Sequence, residues 1–243
     1  MGLRHDLEDA FTDLVLGGRC AGCGRPGRAA CPACREVLAG PPRECWPDPT
    51  PPGLPRPVCA GRYDGVVRAM LLAHKEEGRY GLSRPLGTSL GAVVLAVAGE
   101  SPVVCVPVPS HPGAVRVRGH DPVLRLTRVA AATVRGAGVA AVVVPALRLV
   151  RTPEDQAGLG AAARRDNLDM AFQTWPTAAR SLAGRRVVVV DDIVTTGSTA
   201  LEATRALRDA RAQVIGVAAV AATVRRRRAG NQVDALPLSG AGD

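Results

Sequence analysis

Apolar residues in the central part of the chain follow two alternating spacings, one typical of helices and one typical of buried strands. Helical spacing of three and four residues occurs over residues 63–74, 85–98, 123–134 and 200–210. Strand-like segments cover residues 103–108, 145–150, 186–190 and 213–221, and the segment at 186–190 is a continuous β-branched run. Runs of this kind are typical of strands covered on both faces. The alternation predicts an α/β domain with a mostly parallel sheet flanked by helices.

The residues before this domain show a different organisation. Residues 6–16 have apolar positions at helical spacing and predict a short amphipathic helix. Residues 40–57 hold eight prolines and predict an extended, semi-rigid linker. We therefore predict four parts: an N-terminal helix with a cysteine module (1–40), a Pro-rich linker (41–57), the main domain (58–224) and a basic, disordered tail (225–243).

Two carboxylates and a hydroxyl-rich turn follow the apolar run at residues 186–190. Asp191 and Asp192 come first, and a Thr-Thr-Gly-Ser-Thr stretch leads into the next helical pattern. Such a turn directs backbone N–H groups, hydroxyls and the positive end of a helix dipole at one place, which suits a phosphate. The residues predicted to surround the phosphate are Thr195, Thr196, Gly197, Ser198 and Thr199.

The acidic pair narrows the class of phosphate ligand. A P-loop needs a lysine followed by Ser or Thr, and a dinucleotide fingerprint needs three glycines, whereas this turn has only Gly197. Carboxylates beside a phosphate suit the hydroxyls of a ribose and a Mg²⁺ ion. The pattern indicates a ribose 5-phosphate group, with a plain strand, turn and polar helix N-cap as the open alternative.

The sequence of residues 187–199, Val-Val-Val-Val-Asp-Asp-Ile-Val-Thr-Thr-Gly-Ser-Thr, closely resembles a known motif. Type I phosphoribosyltransferases use that motif to bind phosphoribosyl pyrophosphate (PRPP). The resemblance implies that Asp191 and Asp192 are catalytic-site residues that contact the ribose 2′- and 3′-hydroxyls. It also implies that residues 195–199 surround the 5-phosphate and that Mg²⁺ accompanies PRPP.

Four of the seven cysteines form two C-x-x-C pairs separated by seven residues: Cys20, Cys23, Cys31 and Cys34. An odd cysteine count with this spacing favours metal binding over a disulfide framework. Four thiolates complete a tetrahedral Zn²⁺ site and leave no open position, so the predicted role is structural, in a small zinc ribbon. A redox pair and an iron–sulfur cluster are the alternatives.

The cysteine module followed by the ribose-phosphate motif resembles the ComF family, which joins these two units in the same order. Other stretches agree with this resemblance: Arg62-Tyr63-Asp64-Gly65, Leu72-Ala73-His74-Lys75-Glu76-Glu77-Gly78, Val106-Pro107-Val108-Pro109, Arg118-Gly119, and the spaced set Arg151-Thr152, Gln156, Arg164, Asn167 and Phe172. One loop departs from the family pattern. Residues 120–122 read His-Asp-Pro where the family has an aromatic residue, Asn, and Gln or His.

Basic residues in these stretches are candidates for the pyrophosphate side of the site. They are Lys75, Arg116 and Arg118, with Gly119 in a flexible loop. A plain helix-end lysine and a solvated loop are the alternatives. His74 and His120 are candidates for a base, although the sequence does not identify one.

Charge leaves two classes of function open. With 31 basic and 22 acidic residues the net charge is +9, which favours anionic partners, while 2% aromatic content offers few stacking surfaces for bases. The first class is a transferase of nucleotide metabolism that uses PRPP and an amine or nucleobase acceptor. The second, implied by the ComF resemblance, is a non-catalytic PRPP-sensing, DNA-binding protein of the competence machinery for DNA uptake. It would bind single-stranded DNA and a competence helicase or another DNA-processing partner.

The ends of the chain and its hydropathy add two expectations. The Arg225–Arg228 run is either a DNA contact or a solvated tail. The first residues do not look like a secretory signal, and no apolar run approaches the roughly 18 residues of a membrane span. We therefore expect a cytoplasmic protein.

Overall fold

The computed structural model describes residues 18–150 and 171–223. Its main sheet has six strands in the order β1-β2-β8-β7-β3-β4, and all neighbours are parallel except β1 and β2. The strands of this sheet are β1 (Arg43–Glu44), β2 (Pro57–Arg62), β3 (Val103–Pro107), β4 (Ala141–Val143), β7 (Arg186–Val194) and β8 (Gln213–Ala222). The mostly parallel α/β sheet expected from the sequence is confirmed.

Two further strands form a separate antiparallel sheet, β5 (Leu147–Leu149) with β6 (Phe172–Thr174). The strand pattern at residues 145–150 therefore does not extend the main sheet. The helices are α1 (Pro32–Leu38), α2 (Gly65–Glu76), α3 (Ser83–Ala98), α4 (Pro112–Arg118), α5 (Pro122–Gly136), α6 (Pro176–Leu182) and α7 (Ser198–Asp209), with a 3₁₀ turn at Tyr80–Leu82.

Alternate residues of the central strand β7 point into two apolar layers. Val188 and Val190 pack with helices α2, α3 and α5 on one face. Val187 and Val189 pack with α7 on the other face. Because side chains alternate along a strand, a strand covered on both faces needs an unbroken apolar run, which residues 187–190 supply. The core thus lies on both sides of the sheet and holds β7 at its centre.

Helix α3 is the most deeply buried helix of the first layer. Among the described residues, the stretch Tyr80–Ala98 is the one helix that is, by length and composition alone, apolar enough to cross a membrane, with a mean hydropathy of 1.3. Leu86 and Leu90, however, are fully buried inside the protein. A Cβ atom on Gly91 would lie 2.6 Å from the Cβ of Thr133, so α3 and α5 approach as closely as their backbones permit. Its apolar character is that of a core helix.

The chain connections create a crevice between β3 and β7. From β3 the chain continues to β4 on one side, and from β7 it continues to β8 on the other side. In open α/β sheets, ligands bind where neighbouring strands diverge in this way, at the carboxyl ends of the strands. The fold therefore places a ligand crevice beside Pro107 and the end of β7.

The N-terminal residues pack closely against this domain. Cys31, Cys34 and Leu38 share a core layer with α2. Strand β1 pairs with β2, and Leu54 is buried in the second layer, so residues 41–57 contact the domain at two places. The four-part division of the chain stays a prediction. The helix at residues 6–16 and the tail over 225–243 lie outside the described residues.

Candidate functional site

Asp191 and Asp192 lie within the last residues of β7, at the carboxyl edge of the sheet. The strand continues to Val194, four residues beyond the run of valines, because β8 runs alongside it and pairs Ile193 with Ala221. Both aspartates are only 8% exposed. The fold therefore holds two carboxylates at the ligand crevice with their backbone fixed by strand pairing.

The carboxyl group of Asp191 is strongly perturbed by its surroundings. Burial raises its pKa well above the ordinary carboxyl range, and the neighbouring charge of Asp192 raises it further. The backbone N–H of Asp192, which donates to Asp191 Oδ1 at 2.8 Å, acts in the opposite direction. A buried carboxylate is stabilised by hydrogen-bond donors or a cation, so this position suits a ligand that brings them.

Lys75 reaches this acidic pair from the last turn of α2. Its Nζ lies 3.1 Å from Asp192 Oδ2 and forms a partly buried ion pair. Burial alone would lower the pKa of Lys75, but the charge and hydrogen bond of Asp192 outweigh it and raise the pKa. The structure thus brings Lys75 and the aspartates together across 117 residues of sequence.

Residues 195–199, the β7–α7 turn, form the loop and helix start expected for a phosphate site. Gly197 has a φ of +76°, a left-handed conformation that favours glycine, and it caps helix α7. The Thr196 hydroxyl donates to Ser198 Oγ at 3.0 Å. Because the first turn of a helix leaves N–H groups without helical partners, this turn offers backbone donors next to the two aspartates.

Arg118 and Gly119 end helix α4 next to Lys75. Arg118 forms a bidentate pair with Glu76, with Nη2 2.9 Å from Oε1 and Nε 3.1 Å from Oε2. Gly119 takes a left-handed conformation and ends the helix. Arg116 lies on the exposed side of the same helix. Lys75, Arg118 and Gly119 are therefore gathered at one place, and Arg116 is exposed on the same helix.

Two histidines lie beside Lys75. His74 Nε2 is 3.0 Å from Ser83 Oγ, and burial, with help from His120 and Arg125, lowers the pKa of His74 to about 4. His120 Nδ1 is 3.1 Å from the carbonyl oxygen of Arg118, so this nitrogen carries a proton. His120 Nε2 is buried without a hydrogen-bond partner among residues 18–150 and 171–223. The lowered pKa keeps His74 neutral at physiological pH.

Four residues near these histidines had no role predicted from the sequence. The Tyr80 ring packs edge-on against His120 with centroids 4.6 Å apart, and the Arg125 guanidinium lies over the same ring. Glu76 forms the bidentate pair with Arg118 described above and so orients its guanidinium. Asp121 accepts from the Ser110 hydroxyl at 3.1 Å and from Leu124 N, and so ties the loop after α4 to the end of β3. The contacts of Tyr80, Arg125 and Glu76, and the bond between Asp121 and Ser110, depend on tertiary packing, which spacing along the chain does not reveal.

The four predicted metal ligands form a cluster near the start of α2, where a Cβ atom on Gly22 would lie 2.8 Å from Val66 Cγ1. The sulfur atoms of Cys20, Cys23, Cys31 and Cys34 all lie within 4.8 Å of one another. Burial would raise the pKa of the Cys20 thiol, but the backbone N–H groups of Cys31, Cys23 and Gly22 lower it to about 6. A short turn, with a bridge between Arg19 and Pro26, and the start of α1 bring the two pairs together. Four converging sulfurs with a stabilised thiolate fit a zinc ion.

Several residues of the predicted set lie outside the described part of the chain. They are Arg151, Thr152, Gln156, Arg164, Asn167 and the Arg225–Arg228 run. Phe172, the last residue of that spaced pattern, is buried in β6. Its backbone N–H donates to Glu202 Oε1 of α7 at 3.1 Å.

Comparison with known proteins points to the same region. A sequence model of the phosphoribosyl transferase domain matches residues 130–238. The orotate phosphoribosyltransferase of Bacillus caldolyticus is 54% identical over 37 residues, which are 15% of this chain and 18% of that protein. The chain thus spans less than a fifth of that relative's length. The structure gives an α/β fold with an N-terminal four-cysteine cluster that can bind zinc, and residues 130–238 are similar to a phosphoribosyl transferase domain.

Proposed function

We propose that this chain binds PRPP at the carboxyl ends of β3 and β7 and transfers its phosphoribosyl group to an amine or nucleobase. The observation that carries the proposal is the pair of buried aspartates between a helix-start turn and a lysine. This arrangement offers hydroxyl acceptors, phosphate donors and a cation within one crevice. The match to the phosphoribosyl transferase domain includes β7, the turn and α7.

In this proposal the two halves of the site bind different parts of PRPP. The β7–α7 turn, Thr195 to Thr199, surrounds the 5-phosphate with backbone N–H groups and hydroxyls. Asp191 and Asp192 accept hydrogen bonds from the ribose 2′- and 3′-hydroxyls. Such donors offset the burial that raises the pKa of Asp191, so the ligand favours the ionised carboxylate.

Lys75 and Arg118 are assigned to the pyrophosphate side. Lys75 Nζ is held by Asp192, and Arg118 by Glu76, so both cations are kept at the crevice before any ligand arrives. Pyrophosphate leaves with the electron pair of its bond to ribose C1 while the acceptor nitrogen bonds to C1 and loses a proton. Cations near the leaving group and carboxylates near the ribose stabilise the charges that separate in this step. Arg116 and Gly119 complete the proposed set.

The residues present also fit the two proposed metals. Carboxylate oxygens of Asp191 and Asp192 are hard ligands suited to Mg²⁺, which, when bound with PRPP, neutralises phosphate charge. The four-cysteine cluster would hold one structural Zn²⁺. Assignment to the ComF family, with its competence partners and cytoplasmic location, is a finer proposal that rests on the resemblance alone.

Release of pyrophosphate separates the two proposed classes of function. We expect the full chain, given PRPP, Mg²⁺ and a panel of orotate, other nucleobases and ammonium, to release pyrophosphate with at least one acceptor. An Asp192→Asn variant should reduce that release to the level without protein. The measurement is a coupled pyrophosphate assay.

Two other results would favour the non-catalytic alternative. PRPP binding without release for every acceptor would contradict the transferase and favour the PRPP-sensing alternative. Binding of a single-stranded oligonucleotide that weakens steeply with salt would then support the DNA-binding form of that alternative.

A further inference from the structure

The Pro-rich segment between the cysteine cluster and β2 lies against the proposed phosphate site. We call residues 46–54 the strap. A Cβ atom built on Gly197 would lie 2.9 Å from Leu54 Cδ2 and 3.1 Å from Pro47 Cγ. Both strap residues are buried. The backbone of the β7–α7 turn is therefore packed directly on two apolar side chains from a segment some 140 residues earlier in the chain.

The strap also contacts the helix that follows the turn. A Cβ atom on Gly53 would lie 3.9 Å from Leu201 Cδ1, in the first turn of α7. Leu54 shares its apolar layer with Ala200 and Ala203 of α7 and with Val194 at the end of β7. The strap thus covers the turn from the end of the strand to the start of the helix.

The strap is itself held in place at both ends. Before it, the backbone N–H of Cys45 donates to the carbonyl of Pro57 at 2.9 Å. After it, the carbonyl of Arg56 accepts from Val217 N of β8 at 2.9 Å. Within it, the Thr50 hydroxyl donates to the Pro47 carbonyl at 2.7 Å. Its prolines further restrict the chain, so the strap presents Leu54 and Pro47 in a fixed position.

We propose that Leu54 and Pro47 are positioning residues that hold the β7–α7 turn in its ligand-binding conformation. Gly197 has no side chain and a left-handed φ of +76°, so the turn has little intrinsic stiffness. Packing against the strap restricts it before a phosphate arrives, and a binding loop that is ordered in advance binds more tightly. The inference rests on the proposed function for the identity of the ligand, and on the contacts alone for the ordering of the turn.

The test compares Leu54→Ala with a matched core variant, Leu182→Ala. Leu182 is fully buried in the same apolar layer, at the end of α6 and thus near the amino end of β7. We expect Leu54→Ala to speed amide hydrogen exchange at residues 195–199 in the ligand-free protein and to weaken PRPP binding about threefold to tenfold. Leu182→Ala should lower the melting temperature yet leave both quantities at wild-type values. Leu54→Met, which keeps a large apolar side chain, should show wild-type exchange at residues 195–199 and wild-type PRPP affinity.

The outcomes distinguish this inference from the proposed function. Wild-type exchange at residues 195–199 in Leu54→Ala would overturn the role of the strap, whatever the ligand is. Faster exchange at residues 195–199 in Leu54→Ala would support the role of the strap. If the wild-type chain then did not bind PRPP, the proposed function would be overturned and the role of the strap would stand. If Leu54→Ala does not fold, Pro47→Ala removes the second contact and is judged by the same two measurements.

Discussion

Asp191→Asn and Asp192→Asn are each expected to weaken PRPP binding by about a hundredfold, and the double variant to abolish it. Each change replaces an anionic acceptor at a buried position, and a hydrogen bond to a charged group contributes about 1.5–3 kcal/mol. The amide keeps the size of the side chain, so the turn and the strand pairing stay in place. Calorimetric titration of the full chain with PRPP and Mg²⁺ measures the effect.

The Asp191→Asn and Asp192→Asn variants should also differ in thermal stability. The pKa of Asp191 is raised in the folded protein, so the folded state favours the protonated carboxyl. Its contribution to stability therefore falls as the pH rises from the ordinary carboxyl range through the folded pKa. At pH 7 Asp191→Asn should melt at or above the wild-type temperature, and this difference should close in acid. Asp192→Asn should melt lower, because Lys75 loses its partner.

A surface aspartate supplies the control for both changes. Asp209→Asn alters the net charge equally at an exposed position near the end of α7, where its partner is Arg205. It should leave PRPP affinity at the wild-type value. If the Asp191→Asn, Asp192→Asn double variant bound PRPP as tightly as wild type, the site assignment would be wrong.

Replacing Cys20 and Cys34 by serine is expected to remove bound zinc and to destabilise the N-terminal part of the domain severely. Both side chains are buried in the core layer that contains α2. A structural zinc site in a small peptide contributes about 10–16 kcal/mol of binding free energy at neutral pH, so its loss exceeds the effect of an ordinary core substitution. Elemental analysis should find one zinc per chain in the wild type and almost none in the variant. The melting temperature of the variant should be much lower than that of the wild type in a thermal unfolding experiment.

Cys45→Ser is the matched control for the metal prediction. Cys45 is partly buried and lies next to the strap, and it is not a member of the four-sulfur cluster. This variant should retain one zinc per chain. A wild-type chain that is well folded and free of zinc would contradict the zinc assignment; iron in the same analysis would favour the iron–sulfur alternative, and absence of any metal the redox alternative.

The parts of the fold that depend on local pattern could be predicted from the sequence. The valine run at residues 187–190 indicates a strand covered on both faces, and the chain folds it into the centre of the sheet. The two C-x-x-C pairs indicate four converging sulfurs, and all four lie within 4.8 Å of one another. In both cases residues that are close together in the sequence are sufficient to predict the feature.

Contacts between distant segments could not be predicted in the same way. Lys75 looked equally like an ordinary helix-end lysine, because its partner Asp192 is 117 residues away. Residues 41–57 lack periodicity and hold many prolines, which gives no sign that Leu54 packs on Gly197. The end of β7 also lies beyond the valine run, since pairing with β8 extends it to Val194. These features depend on tertiary packing, which overrides local preference.

Calorimetric titration of the wild-type chain with PRPP and Mg²⁺ tests the central proposal most directly. We expect saturable binding at one site per chain, with competition by ribose 5-phosphate, because the β7–α7 turn and the aspartates recognise the phosphate and the ribose. Absence of binding by a folded, zinc-loaded chain, or binding that ribose 5-phosphate does not displace, would contradict it.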